Sequence, residues 1–185
     1  TLADVQVAGV QRKTSSLLLS IGAIPEVELA AQAGLQIDNG VCVDRQMRTS
    51  DPDILAIGDC TSFDYRGARI RLESVQNAND QAKVAAATLI GSATDYQPTP
   101  WFWSEQGGLR LQMVGLWRPG LAVVPRAGPT PASFSLFHYA GDELVAVESV
   151  NAPVDHMWAR KLIEAGRSPS SDLVADRDIP LKSLL

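Results

Sequence analysis

Three groups of residues in this chain have the types and spacing for ligand chemistry. The apolar run DILAIGD, residues 53–59, stops on Gly58 and Asp59. A carboxylate there can accept hydrogen bonds from hydroxyls, such as those of a sugar-like chain, and Gly58 lets a ligand or another backbone come near. In an open α/β sheet, ligands bind beyond the carboxyl ends of the parallel strands. The competing reading is local, since a Gly-Asp pair also caps a turn. The second group is the start of a helix at Ser74, with Asn77 and Asn79 in or near its first turn. First-turn amides lack intrahelical partners and carry about half a positive charge, so they suit an anionic or strongly accepting group. The amide of Val75 is the expected ligand-facing donor. The third group is Trp101, Phe102 and Trp103. Alternation along a strand puts the two tryptophans on one side and Phe102 on the other. Tryptophan suits half-wet sites, which makes Trp103 a candidate for a cofactor mouth, with a core role as the alternative.

Other chemistries find little support. Cys42 and Cys60 are too far apart for a C-x-x-C redox pair and read as reduced, cytosolic thiols. His138 and His156 have no ligand-like spacing to Cys, Asp or Glu, so no zinc site is expected. A net charge of −5 argues against nucleic acid. With 45% hydrophobic and 20% charged residues, the 185-residue chain has a globular composition. No apolar run reaches the roughly 20 residues that a membrane helix needs.

The elements that must position these residues fall into two parts. Residues 1–95 alternate strand-like and helix-like runs, which predicts an α/β, Rossmann-like portion. TLADVQVAGVQRKTSS (1–16) reads as one strand and a basic turn, and SSLLLSIGAIP (15–25) as a buried strand. EVELAAQAG (26–34) reads as a short helix, NGVCVD (39–44) as a strand, and DILAIGD as a parallel strand covered on both faces. A long helix is expected over about 74–90, with Val75, Ala78, Ala82, Ala85, Ala86 and Leu89 as its packed stripe and Gly91 as its stop. The prolines of YQPTP (96–100) mark a linker. Residues 96–185 then predict an α+β domain with an antiparallel sheet: strands at 109–116, 133–139 and 143–150, and an amphipathic helix at 154–166.

Five segments, in this order and spacing, carry a resemblance: IGAIPEVELA (21–30), AGLQIDNGVCVD (33–44), TSDPDILAIGDC (49–60), RLESVQNANDQAKVAA (71–86) and PWFWSEQGGLRLQMVGL (100–116). They resemble the FAD-dependent ferredoxin reductases of the oxygenase-coupled type. The resemblance implies that Asp59, beside Gly58, hydrogen-bonds the FAD ribityl chain. It places the backbone at Ser74 and Val75 on the flavin pyrimidine edge with Glu73 close by, and Trp103 beside the isoalloxazine. Pro25 would lie where the NADH and FAD units meet. The C-terminal domain would form an interface and help enclose the flavin. Gly107-Gly108 departs from the family pattern, where an aromatic usually follows the glutamine.

In that family NADH reduces the flavin, which then passes single electrons to a [2Fe-2S] ferredoxin; no catalytic side chain is required. Neither G-x-G-x-x-G loop, for FAD or for NADH, occurs in this chain. It therefore corresponds to the last part of such an enzyme and is expected to be inactive alone. An acidic ferredoxin calls for a basic docking patch, with Arg66, Arg69 and Arg71 as first candidates and Arg110, Arg118 and Arg126 on the second domain. Two other readings stand beside this one: a non-catalytic association module on the same fold, as a homo-oligomer or with other partners, and a related NADH oxidase or nitrite reductase flavoprotein.

Overall fold

The computed structural model describes residues 4–92 and 94–185. Its larger sheet has five antiparallel strands: β6 (Trp101–Gln106), β7 (Leu109–Gly115), β8 (Ala122–Ala127), β9 (Phe134–Ala140) and β10 (Glu143–Val150), in the order β6-β7-β10-β9-β8. Alternation sends Val114, Phe137, Tyr139, Leu144 and Val147 to one face. There α3 (Pro153–Glu164) covers them with Ala159, Leu162 and Ile163. The strands expected at 109–116, 133–139 and 143–150 and the helix at 154–166 are all present. Strand β8 was not foreseen; Pro125 sits in it, which an edge strand tolerates.

The tail packs back on this core. Helix α4 (Ser171–Ala175) buries Val174, and Leu181 is buried in the final 3-10 turn. Arg126, itself buried, donates to the carbonyls of Val174 (2.9 Å), Asp176 (2.6 Å), Arg177 (3.4 Å) and Ile179 (3.0 Å) and pairs with Asp155 at 3.4 Å.

The N-terminal part is smaller. Strands β3 (Val41–Cys42) and β4 (Thr61–Tyr65) pair in parallel, and β5 (Ala68–Ile70) adds antiparallel to β4. Helix α2 (Val75–Leu89) packs beside them, its Ala85 joining Val43, Met47, Phe63 and Tyr96 in one core cluster. Helix α1 (Glu28–Gln32) matches the short helix expected at 26–34.

Four expectations need correction. The buried face of α2 is Asn77, Gln81, Ala85 and Thr88, whereas Val75, Ala86 and Leu89 of the expected stripe are exposed. The stretch 1–16 is a hairpin, β1 (Val5–Val7) and β2 (Val10–Arg12), because Ala8 and Gly9 take positive φ and reverse the chain; residues 1–3 lie outside the described residues. Residues 15–25 form no strand and are not buried. Leu18, Ile21 and Ile24 are 90%, 88% and 95% exposed, so the apolar run has no covering layer among the described residues. The run 53–59 is not the parallel strand either. Only Leu55 bridges, antiparallel, to Arg48, and Gly58 at φ +82° turns the backbone into a 3-10 turn over Gly58–Cys60. The parallel partner of β3 comes just after, at Thr61 and Ser62, which are polar yet fully buried.

Candidate functional site

The site grows from two adjoining turns. Helix α2 begins at Ser74, whose hydroxyl accepts from the amide of Asn77 at 3.1 Å; this is an N-cap. The amides of Val75 and Gln76 have no carbonyl within the helix to bond. The helix start is fixed from behind: Asn77 donates to Leu72 O (3.1 Å) and accepts from the Tyr96 hydroxyl (2.7 Å). Burial pushes the Tyr96 phenol well above its ordinary value, so it stays a donor.

The Gly58–Cys60 turn docks on the same helix through Gln81, which is fully buried. Its Oε1 accepts from the Gly58 amide (2.6 Å) and the Thr61 hydroxyl (3.0 Å). From the other side the Asn39-Gly40 turn presses against this loop. A Cβ on Gly40 would lie 2.8 Å from Cys60 O, so only glycine allows that approach. Asp59 is thereby carried to the opening of α2.

Between them lies a hollow of about 400 Å³, lined by Asp59, Glu73, Ser74, Val75, Ala78, Asn79 and Phe102. An apolar hollow of about 210 Å³ adjoins it and shares Glu73, Ser74 and Phe102. The structure thus gathers Asp59, Glu73, Ser74 and Val75 around one space, with Gly58 shaping its edge. Trp103 does not line either hollow. It stacks on Trp101 (5.3 Å between centroids), on the face opposite Phe102, as strand alternation requires. Pro25 is half-buried and lies outside the hollow, but its segment is tethered there: Arg71 Nη2 donates to Ala23 O at 3.4 Å.

Sequence reading missed three contributors. Phe102 was legible in the same alternation that set it apart from Trp103. Gln81 was signalled by a polar residue beside the alanine stripe of α2. Arg71, read as a docking cation, left no such signal; its side chain is 12% exposed and turned inward to Glu73 and to Asp59 O. Arg69 donates to Ser62 O (3.0 Å), and Arg66 pairs with Glu143 (3.1 Å) on the surface.

Residues 101–185 match the family model described as Reductase C-terminal, and residues 3–82 the one described as Pyridine nucleotide-disulphide oxidoreductase. The chain belongs to the ferredoxin reductases of the oxygenase-coupled type, as their C-terminal portion. Rhodocoxin reductase of Rhodococcus erythropolis is 44% identical over 188 residues, covering 97% of this chain and 44% of that protein. Putidaredoxin reductase of Pseudomonas putida is 37% identical, covering 96% of this chain and 42% of that protein. The crystal structure of the ferredoxin reductase for the CYP199A2 system of Rhodopseudomonas palustris superposes with a TM-score of 0.91 at 43% identity, over 98% of this chain and 46% of that one. The chain therefore spans less than half the length of these relatives.

Ferredoxin reductases of this family depend on FAD and NADH. The residues present fit part of a flavin. Asp59 is exposed, and its contact with Arg71 uses the backbone carbonyl, so that contact does not consume its carboxylate. Beside it stand first-turn amides without intrahelical partners and the flank of Phe102, half-exposed at 40%. Among the described residues no cluster of His, Cys, Asp and Glu could hold a metal, and no helix is long and apolar enough to cross a membrane.

Proposed function

We propose that this chain supplies one wall of the flavin site in an oxidoreductase that moves electrons from NAD(P)H through FAD to a [2Fe-2S] ferredoxin. The observation that carries the reading is the hollow shared by Asp59 and the opening of α2. When bound, FAD supplies the change from two-electron to one-electron transfer. Asp59 would accept from hydroxyls of the ribityl chain, and the amides at Val75 and Gln76 would donate to the pyrimidine edge. Glu73 borders that edge and Phe102 excludes water beside it. The portion 1–95 is the cofactor-binding part and 96–185 the interface part. Trp103 would then act at the rim of the flavin site, and Pro25 at the meeting of the NADH and FAD units.

Ferredoxin docking would draw on Arg66 and Arg69 with Arg110 and Arg118, because Arg71 and Arg126 are engaged inside the fold. The two free thiols, Cys42 and Cys60, are the support for a cytoplasmic location. Neither pyrophosphate-binding glycine loop is present, so the chain alone should show no NADH-dependent turnover. Cytochrome c reduction with added FAD, NADH and ferredoxin tests this, and sustained turnover would refute it. The flavin reading itself is tested by titrating FAD and following its fluorescence: a response in wild type that Asp59→Ala weakens supports it, and one indifferent to Asp59 counts against it.

A second reading, the association module, is favoured by the exposed apolar segment 17–24. A colourless protein that self-associates and ignores FAD would support that reading.

A further inference from the structure

Arg71 makes contacts that the flavin reading does not use. Its side chain is 12% exposed, and it reaches three separate segments besides its near neighbour Glu73. Nη1 donates to Asp59 O at 3.2 Å and to the Glu73 carboxylate, Nε donates to Asn39 Oδ1 at 3.5 Å, and Nη2 donates to Ala23 O at 3.4 Å. A guanidinium is suited to this, because its planar fork holds five donors in fixed directions while a lysine ammonium is a single point.

Of these segments, 39–42 and 60–62 also meet directly through the β3-β4 pair, whereas 21–25 has no other hydrogen bond among the described residues. Residues 21–25 are largely exposed extended chain, with no strand partner. Asn39 holds φ +51°, an uncommon conformation for a residue other than glycine, at the turn whose Gly40 abuts Cys60 O. Asp59 sits in a three-residue turn. Two of Arg71's acceptors are backbone carbonyls, so it fixes main chain rather than a single side chain.

We propose that Arg71 is a positioning residue that holds Asp59 and Glu73 at the hollow and ties residues 21–25 to them. The proposal rests on the flavin reading for its purpose, but the positioning itself is a property of the chain without ligand. A neutral side chain at 71 frees the 21–25 segment and the 58–60 turn together. It also leaves Glu73 uncompensated beside the space where an electron-rich ring edge would lie.

The test uses the full chain as wild type, Arg71→Met, Arg71→Lys and Glu73→Gln, by amide hydrogen exchange, limited proteolysis and FAD titration. Arg71→Met is expected to speed exchange at residues 38–41 and 58–60, to speed proteolytic cleavage within 20–25, and to leave α3 and the five-stranded sheet unchanged. Arg71→Lys, which keeps the charge but not the fork, is expected to show the same local loosening to a smaller degree. It also serves if the methionine variant does not fold. Glu73→Gln removes the ion pair alone and should leave cleavage within 20–25 and exchange at 58–60 as in wild type. FAD affinity should fall about tenfold in Arg71→Met, the equivalent of one charge-assisted hydrogen bond. Unchanged exchange at 38–41 and 58–60 with unchanged cleavage within 20–25, or an acceleration spread evenly over the whole chain, would overturn the proposal. A wild type that does not respond to FAD defeats the flavin reading, and the exchange measurements still decide the role of Arg71.

Discussion

Replacing Gly58 with alanine isolates the backbone geometry that delivers Asp59. Gly58 holds φ +82°, and an L-residue in the left-handed region costs about 1–2 kcal/mol. Steric overlap adds nothing, because an added Cβ meets Ala78 Cβ at 3.9 Å, an ordinary contact. The unfolded chain loses some freedom when glycine becomes alanine, which returns about 0.4–1 kcal/mol. The net expectation is a loss of about 1 kcal/mol, roughly a fivefold drop in the folded-to-unfolded ratio. If the backbone relaxes to negative φ instead, the Gly58 amide leaves Gln81 Oε1, now 2.6 Å away, and Asp59 swings from the opening of α2. Asparagine tolerates the left-handed region better, so Gly58→Asn should recover about half of the loss. The assay is urea denaturation of the three proteins, comparing midpoints at equal m-value. An alanine variant as stable as wild type, or an asparagine variant no better than alanine, would refute the reasoning.

Other outcomes follow from the same structure. Tyr96→Phe removes the donor to Asn77 Oδ1 and leaves that buried oxygen short of a partner; it should cost about 1–2 kcal/mol in a urea melt. Arg126→Met leaves four tail carbonyls and the Asp155 carboxylate without their cation, and should cost about 3–5 kcal/mol and open the chain after Ser168 to limited proteolysis. Burial, with Arg160 and then Arg110, holds His156 below its ordinary value near 6.5. The unfolded state then binds the proton more readily, so His156 contributes stability above about pH 6.5 that is lost as pH falls through the lower folded value. Thermal melts from pH 8 to pH 5 should show that decline, and His156→Gln should flatten it.

Much of this was legible because local rules and tertiary packing agree. The α2 helix announces itself with a serine cap and a glycine stop, although its buried face carries Asn77, Gln81 and Thr88 with Ala85 rather than the apolar stripe. The antiparallel strands alternate as one-faced strands should, and the aromatic triplet declares which ring goes to which side. Legibility failed where packing overrides pattern. Thr61 and Ser62 are polar but buried in the parallel pair, while the apolar run before them is partly exposed and bent by Gly58. The leucines of 17–19 read as core because sequence shows apolarity, not the presence of a covering layer. Strand β8 hid behind Pro125 and Arg126, neither typical of a strand. Arg71 was opaque for another reason: two of its partners are carbonyls, one of them 48 residues away, and no pattern marks a carbonyl as an acceptor in waiting.

The strand order has a kinetic corollary. Pairs β6-β7, β8-β9 and β9-β10 join sequence neighbours, so most of the five-stranded sheet closes through short hairpins. The opening of α2 instead waits on loops of 20 to 48 residues, which close at greater entropic cost. In stopped-flow refolding, the Trp101–Trp103 stack should therefore report its native signal before the Gly58 amide gains exchange protection, with the later half of the chain acting as the template on which the earlier half organises.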